Sequence, residues 1–405
     1  MYEQCVIETQ QLITNSKKIC VTTDCWTSSN MESYMGITVH YLDDDFKFIS
    51  LLLDCSNLPV QHTSINLAKE LKRVFVEWKV ENKILMVVSD NAANIKCAIK
   101  NDIKMKHFGC FAHTINLIVN DGLKDGEIIK ILNKIKNTVS HFKKSSTATA
   151  KLLDYQKNQG IGNPLKLLQD VSTRWNSTFY MLERFIHLEE TVKAITAITN
   201  MDANNSLTMY EWNVIKQLCQ ILRPFEKVTK TISGEGYLTA SLVIPLVNGL
   251  VSVFNVFKEK TFERAVRNVL IKLDNSIEER LENEETSGDP DDIWAEFDKT
   301  ASQYQPRGTT TSRAIIEMQR FMECDRLPRN EDPLKWWREN KYIFPHLAEV
   351  AQERLSVIAT SVPCERLFSK AGLIISDKRS RLNHKKAKML LFLNSNLKVT
   401  NSSSN

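Results

Sequence analysis

Two aspartates stand where predicted strands end, and carboxylates in such positions can bind divalent cations. Asp24 ends a short β-branched run at 19–24, and Asp90 follows the continuous apolar run at 84–89. Hard cations such as Mg²⁺ prefer carboxylate oxygens. Two such cations bound about 3.5–4 Å apart can promote phosphoryl transfer. The structural alternative is that each Asp caps a following helix, which is common after a strand.

The first 120 residues predict an α/β sheet that brings both aspartates to one edge. Strands are expected at 19–24, 34–41, 46–54, 84–89 and 107–110, with a turn at 43–45. Helical periodicity is found at 65–78, 91–99 and 112–120. Three antiparallel strands followed by βαβ units is the order of a ribonuclease-H-like sheet, in which the strands of Asp24 and Asp90 are neighbours. The crevice of an open α/β sheet lies beyond the carboxyl ends of its strands, so the site is expected there.

The rest of the chain is predicted to be mostly helical. Residues 121–345 contain an acidic stretch at 277–298, with ten acids and one base, that we interpret as a solvated linker. Residues 346–398 are expected to form a compact helical unit, and 399–405 a frayed tail.

The composition excludes several classes of protein. With 405 residues, 42% of them hydrophobic and 25% charged, the chain is typical of a globular protein, and a net charge of +5 does not by itself indicate a nucleic-acid partner. No apolar run predicts a membrane span, and the opening residues predict no secretory signal. The nine scattered cysteines form no Cys-x-x-Cys pair, which favours reduced thiols in a nuclear or cytosolic protein.

Five blocks of sequence, in order, resemble those of the hAT (hobo/Activator/Tam) superfamily of transposases. They are TTDCWTS at 22–28, VSDNAAN at 88–94, CFAHTINL at 110–117, STRWNST at 172–178 and PCERLFSKAG at 363–372, continued by SDKRSRL at 376–382. The resemblance spans roughly 18–398 and is greatest to the zinc-finger BED-domain-containing proteins, many of which derive from such transposases. No BED finger motif precedes Asp24.

The resemblance implies a fold and an active site. The fold is a ribonuclease-H-like mixed sheet, interrupted by a large helical insertion at 121–345 and completed by C-terminal dimerisation helices at 346–398. The site is a catalytic, metal-binding triad of Asp24, Asp90 and Glu365, which would use Mg²⁺ or Mn²⁺ for DNA strand cleavage and transfer. No small-molecule cofactor is expected.

Four further residues are implied to bind DNA. Cys110 and His113 lie one helical turn apart, and the resemblance implies that they lie beside the site. Zinc is not expected there. A buried thiol and a hydrogen-bonded imidazole would explain the presence of these two residues equally well. Arg174 could bind phosphate and Trp175 could stack on an unpaired base. The alternative for Trp175 is packing in a helix interface.

The C-terminal region combines basic and apolar residues. Eight Lys or Arg residues lie between 366 and 388, and four of them are expected to contact phosphate, with a merely solvated face as the alternative: Arg366, Lys378, Arg379 and Arg381. The same segment could serve in nuclear import. The apolar residues expected to support a homodimer or higher oligomer are Leu367, Phe368, Leu373, Leu390 and Phe392.

Two functions stay open from the sequence. The first is a nuclear, DNA-binding, dimeric hAT-derived protein that retains metal-dependent strand cleavage and transfer. The second is a domesticated, catalytically inactive transcriptional regulator or scaffold that acts through DNA binding and dimerisation. An unrelated ribonuclease-H-like nuclease is a weaker third interpretation, because it would not explain the close C-terminal match.

Overall fold

The structure is a computed structural model of the chain, and it describes residues 1–28, 31–171, 173–198, 203–234, 239–282, 310–328, 331–375 and 383–403. The chain forms two compact units. The first unit comprises Met1–His113, Ile232–Val243 and Gly288–Asn405, and the second comprises Thr114–Thr231 and Ile244–Ser287.

The first unit contains a five-stranded mixed sheet. Its strands are β1 (Ile19–Thr27), β2 (Ser33–Leu42), β3 (Phe48–Asn57), β4 (Ile84–Ser89) and β5 (His107–Gly109). Their order is β3-β2-β1-β4-β5, with antiparallel pairing among the first three and parallel pairing of β1 with β4 and of β4 with β5. The predicted neighbouring positions of the strands that carry Asp24 and precede Asp90 are therefore confirmed.

Helices make up most of the remaining described chain in both units. In chain order they are α1 (Tyr2–Asn15), α2 (Ser64–Glu77), α3 (Ala93–Cys97), α4 (Phe111–Leu123), α5 (Gly126–Lys144), α6 (Ser146–Asn158), α7 (Trp175–His187), α8 (Glu189–Ile198), α9 (Met209–Ile232), α10 (Val243–Lys258), α11 (Arg264–Ile277), α12 (Thr310–Glu323), α13 (Pro333–Asn340), α14 (Pro345–Arg354), α15 (Val362–Ile374) and α16 (His384–Ser403). The sequence did not predict α1.

The two faces of the sheet pack against different helices. Side chains alternate along a strand, so Ile19 and Val21 lie on one face, in an apolar cluster with residues of α1, α2 and α16. Cys20 and Thr22 lie on the other face, where Cys20 packs against residues 357 and 358 and Thr22 contacts Cys364 of α15. Asp24 continues this second series along β1.

Helix α16 covers the edge strand β3. The buried Asn396 amide pairs with the backbone of Leu52: its Nδ2 donates to the carbonyl at 2.8 Å, and its Oδ1 accepts from the N–H at 2.8 Å. Asp54, whose side chain is 1% exposed, accepts from Arg73 and lies 2.8 Å from Lys388 Nζ. These contacts satisfy backbone and charged groups that an uncovered edge would leave open.

The described part of the second unit is helical. One segment that overlaps α10, Ala240–Lys258, is long and apolar enough to cross a membrane by length and composition, with a mean hydropathy of 1.9 and 17% of the tested window buried. The sequence predicted no membrane span, and this segment is the single weak candidate among the described residues. A single helix of this kind is weak evidence for a membrane span, because core helices of soluble proteins meet the same test.

Candidate active site

The sequence predicted that Asp24 ends a strand, but in the structure Asp24 lies within β1. The strand continues to Thr27 because Cys25 and Trp26 still pair with Met35 and Tyr34 of β2. The Asp24 Oδ1 atom accepts a 2.8 Å hydrogen bond from the N–H of Cys25. No helix follows Asp24 directly, so capping does not explain this carboxylate.

Asp90 follows β4 directly, at the carboxyl end of the parallel pair. Its Oδ1 accepts from the N–H of Ala92 at 3.3 Å, which is a local Asp turn. The N-cap position of α3 is Ala92, and it makes no side-chain capping bond. The capping alternative is thus not met at Asp90 either.

Glu365 reaches the same neighbourhood from the opposite end of the chain. It lies in the first turn of α15 and its side chain is exposed, whereas the preceding Cys364 is fully buried against the sheet. Helix α15 packs on β1 and β2 through an apolar cluster that includes Leu367 and Phe368. The Phe368 ring stacks on Trp26, with ring centroids 5.8 Å apart.

The charges of Asp90 and Glu365 act on the Asp24 carboxylate. Burial raises the pKa of Asp24 to about 7; the negative charge of Asp90 adds to this, the Cys25 N–H opposes it, and Glu365 adds a smaller contribution. Burial and the charges of Asp24 and Asp90 also raise the pKa of the Cys25 thiol to about 12. Asp90, after β4, and Glu365, in α15, thus lie close enough to Asp24 for their charges to act in the space around it.

The donor chemistry of this space fits a hard divalent cation. All three groups offer carboxylate oxygens, and a cation would offset both the burial and the like charges that raise the pKa of Asp24. Within the ranges that the structure describes, no group of three or more His, Cys, Asp or Glu side chains is arranged tightly enough to hold a metal. The three acids therefore fit by charge and donor type, without forming a closed ligand cluster.

Cys110 and His113 lie at the start of α4, in the first unit. The buried Cys110 sulfur accepts from the N–H of Ser361 at 3.3 Å, and the neighbouring Phe111 N–H donates to the Ala359 carbonyl at 2.8 Å. Both bonds attach the start of α4 to the segment before α15. In this structure the Cys110 thiol has a packing role, and DNA contact by either residue stays a prediction.

Sequence reasoning missed a pair beside Asp90, the buried Ser89 and the partly buried His107. The Ser89 hydroxyl lies 2.9 Å from His107 Nε2 and also donates to the carbonyl of Asp90 at 2.9 Å. Burial, with the charges of Lys100 and Lys96, lowers the pKa of His107 to about 4. Only the spatial neighbourhood of β4 and β5 brings this pair together, and no sequence spacing signals it.

The predicted phosphate contacts of the C-terminal segment are only partly described. The Arg366 guanidinium donates to the backbone carbonyl of Ser233, so one of its donors is used within the chain. Lys378, Arg379 and Arg381 lie outside the described residues.

Arg174 and Trp175 belong to the second unit. Arg174 is exposed, which leaves its charge accessible to an anion. Trp175 is 3% exposed and packs against Phe179 and Phe225, each with a centroid distance of 6.4 Å. Its backbone N–H donates to Asn116 Oδ1 at 3.2 Å. This conformation matches the packing alternative for Trp175, because its ring has no free face for a base.

The apolar residues predicted to support dimerisation divide into two groups. Leu367, Phe368 and Phe392 are at most 5% exposed, because α15 and α16 need them to pack on this chain's own sheet and on α1. They are therefore core residues and not surface residues in this structure. Leu373 and Leu390 are 76% and 43% exposed and remain accessible to a partner.

Comparison with known proteins identifies three domains. The family models named ZBED1 RNase-like domain, ZBED1 RNase-like helical domain and hAT family C-terminal dimerisation region match residues 22–109, 108–221 and 317–397, respectively. The described fold of residues 22–109, a mixed sheet with helices, agrees with the first match.

Relatives in fungi, plants and animals match most of the chain. It is 26% identical to the "Putative transcriptional regulator tpeD" of Talaromyces stipitatus, over 95% of this chain and 54% of that protein. It is 23% identical to the "Putative AC transposase" of Zea mays, over 90% of this chain and 55% of that protein. It is 23% identical to human zinc finger BED domain-containing protein 4, over 93% and 37%. The chain thus spans about a third to a half of the length of these relatives.

The fold and the matches first define a class, that of α/β proteins with an RNase-like domain followed by a helical domain and a C-terminal self-association region. Within that class the chain carries ZBED1 RNase-like and hAT dimerisation domains, and its homologues are hAT transposases and BED zinc finger proteins.

Proposed function

We propose that this chain is the core of a hAT transposase-derived nuclear protein that dimerises, binds DNA and uses Asp24, Asp90 and Glu365 for metal-dependent strand cleavage and transfer. The observation that carries the proposal is the parallel pairing of β1 with β4, which puts Asp24 and Asp90 at neighbouring strands, while α15, which carries Glu365, packs against the same sheet. The crevice beyond the carboxyl ends of the strands is where an open α/β sheet is expected to bind its ligands, and this expectation supports the proposal.

The chain's residues would divide the chemistry among them. Asp24 and Asp90 would hold Mg²⁺ or Mn²⁺ at the sheet, with Glu365 completing the ligands from α15. The bound ions would activate water and stabilise the leaving oxygen during phosphoryl transfer. The exposed Arg174 and the basic C-terminal segment would bind DNA phosphates, and that binding would weaken as salt rises.

The domain arrangement is part of the proposal. Residues 1–120 would form the first part of a ribonuclease-H-like core, 121–345 its helical insertion, and 346–398 the region that completes the core and self-associates. The match of 317–397 to a hAT dimerisation region supports a homodimer. The exposed Leu373 and Leu390 would lie in its interface. Light scattering of the purified chain tests this, and a monomer at all concentrations would contradict it.

Metal binding gives a test that needs no knowledge of the DNA sequence. The full chain is titrated with Mn²⁺ in a calorimeter beside Asp90→Asn, Glu365→Gln and the exposed control Glu81→Gln. We expect binding by the parent and the control, and loss of binding in Asp90→Asn. Mn²⁺-dependent nicking of DNA should be lost in the same variants. Equal binding by Asp90→Asn would contradict the assignment.

A second function is favoured by the open arrangement of the acids. Among the described residues no metal-holding cluster is closed, and a fungal relative is named as a transcriptional regulator. A DNA-binding, dimeric regulator without catalysis accounts for both observations. A folded parent that retards DNA in a gel but neither binds Mn²⁺ nor nicks DNA would establish this second function over the first.

A further inference from the structure

A buried polar network holds the first turn of α15 against the sheet. The Cys364 sulfur lies 3.4 Å from Thr22 Oγ1, and the thiol is within 3.5 and 3.6 Å of the carbonyl oxygens of Thr22 and Gly36. Thr22 lies two residues before Asp24, and Gly36 is paired with Asp24 across β1 and β2. The thiol therefore contacts both strands beside the candidate site.

The close approach of α15 depends on the missing side chain of Gly36. A Cβ atom there would lie 3.0 Å from Phe368 Cζ and 3.2 Å from Leu367 Cδ2. These distances are tighter than nine in ten real Cβ contacts, and both neighbours are buried. A side chain at position 36 would therefore require Phe368 and Leu367 of α15 to move by a few tenths of an ångström.

The network continues into the sheet. Thr22 Oγ1 lies 2.5 Å from Thr38 Oγ1, which lies 2.8 Å from His40 Nε2. Complete burial lowers the pKa of His40 to about 3, so the ring is neutral. Directional bonds of this kind fix one packing arrangement, whereas an apolar core tolerates sliding. Stability alone would not require polar groups here.

We propose that Cys364 and Gly36 are positioning residues that fix the Glu365 carboxylate relative to Asp24. Glu365 follows Cys364 directly, so the bond that holds the thiol also sets the start of the helical turn that carries the acid. A displacement of about 1 Å at a reacting centre can reduce a rate about a hundredfold. The inference rests on the proposed function, because it assigns these residues to the same metal site.

Paired substitutions separate positioning from simple packing. Cys364→Val removes the donor and is larger by about one methyl group, an enlargement that the control Cys219→Val shares; Cys364→Ser keeps a donor, and Gly36→Ala adds the one obstructing carbon. Cys219→Val, at a buried cysteine in the second unit, is the matched control. Circular dichroism and urea unfolding confirm that each variant is folded before it is compared.

Two measurements report the outcome: Mn²⁺ affinity of the full chain by calorimetry, and kcat and KM for DNA nicking. We expect Cys364→Val and Gly36→Ala to lose about tenfold or more in Mn²⁺ affinity, the usual range for residues that orient metal ligands. We also expect kcat to fall while KM for DNA stays unchanged. Cys364→Ser should recover part of both losses, and Cys219→Val should match the parent.

The possible results distinguish two failures. If the parent binds Mn²⁺ and Asp90→Asn does not, but both Cys364→Val and Gly36→Ala behave as the parent does, only the positioning role is overturned. Equal loss in folded Cys364→Ser and Cys364→Val also overturns it, since the donor would then be irrelevant. If the folded parent binds no Mn²⁺, the proposed function and the positioning role are both overturned.

Discussion

Replacing Asp24 with Asn should stabilise the metal-free protein above neutral pH. The pKa of Asp24 is about 7, compared with its usual 3.8, mainly because of burial. At about 1.36 kcal/mol for each unit of pKa, ionising this carboxylate costs the folded state up to about 4 kcal/mol. Solvent screening at a half-buried side chain lowers that figure. We therefore expect the variant to gain about 1–3 kcal/mol at pH 8.

The contribution of Asp24 to the free energy of unfolding changes with pH in a definite direction. Between about pH 4 and 7 the folded protein binds more protons at Asp24 than the unfolded chain does, so the Asp24 contribution to stability falls as pH rises. Burial lowers the pKa of His40 to about 3 and that of His107 to about 4, so their contributions rise with pH below about 6.5. Subtracting the parent curve from the Asp24→Asn curve removes the histidine contributions.

Urea unfolding in the presence of EDTA, followed by circular dichroism from pH 4.5 to pH 8, measures this difference. We expect it to grow steadily up to about pH 7 and then to level off. Glu81→Gln, on the surface, provides a control whose difference should stay within about 0.5 kcal/mol. The reasoning would be refuted by an Asp24→Asn variant that is less stable than the parent at pH 8, or whose difference does not change with pH.

Two further predictions concern packing and are checked by the same unfolding assay. Asn396→Ala should lower the free energy of unfolding by about 2–4 kcal/mol, because it leaves a backbone N–H and carbonyl of β3 unpaired. The exposed control Asn394→Ala should change this free energy little. An equal loss in both variants would contradict the role assigned to Asn396. Gly122→Ala should cost about 1–3 kcal/mol, because its Cβ would lie 2.4 Å from Leu273 Cδ2. Gly126→Ala, with open space at its Cβ, should be neutral or stabilising by up to about 1 kcal/mol, and the reverse order would refute this account.

Local patterns predicted the sheet well. The apolar run at 84–89 coincides with β4, and Asp43 closes the predicted turn by accepting from the N–H groups of Asp45 and Lys47. A continuous apolar run and an Asp-rich turn are set by nearby residues, so the sequence reveals them. The end of β1 was less predictable, because Cys25 and Trp26 extend it only by pairing with β2.

Contacts between distant residues were not predictable. Helix α1 was missed because its buried stripe includes the polar Thr9 between Cys5 and Ile13, which weakens the apolar periodicity. The apolar positions of α15 were visible, but a pattern of this kind does not tell whether a face meets its own sheet or a partner. Phe368 packs on its own sheet beside Gly36, a residue more than 300 positions earlier in the chain, and no local pattern indicates that contact.

The closure of β3 by α16 has a consequence for synthesis on the ribosome. About 250 residues separate the end of β5 from the start of α15, and α16 follows later still. Because synthesis proceeds at about 5–20 residues per second, the nascent sheet stays uncovered by α16 for on the order of 10–50 s. During that time the backbone of Leu52 and the carboxylate of Asp54 lack their partners on α16, Asn396 and Lys388. Unpaired strand edges promote aggregation, so the nascent chain should depend on chaperones until α16 has emerged.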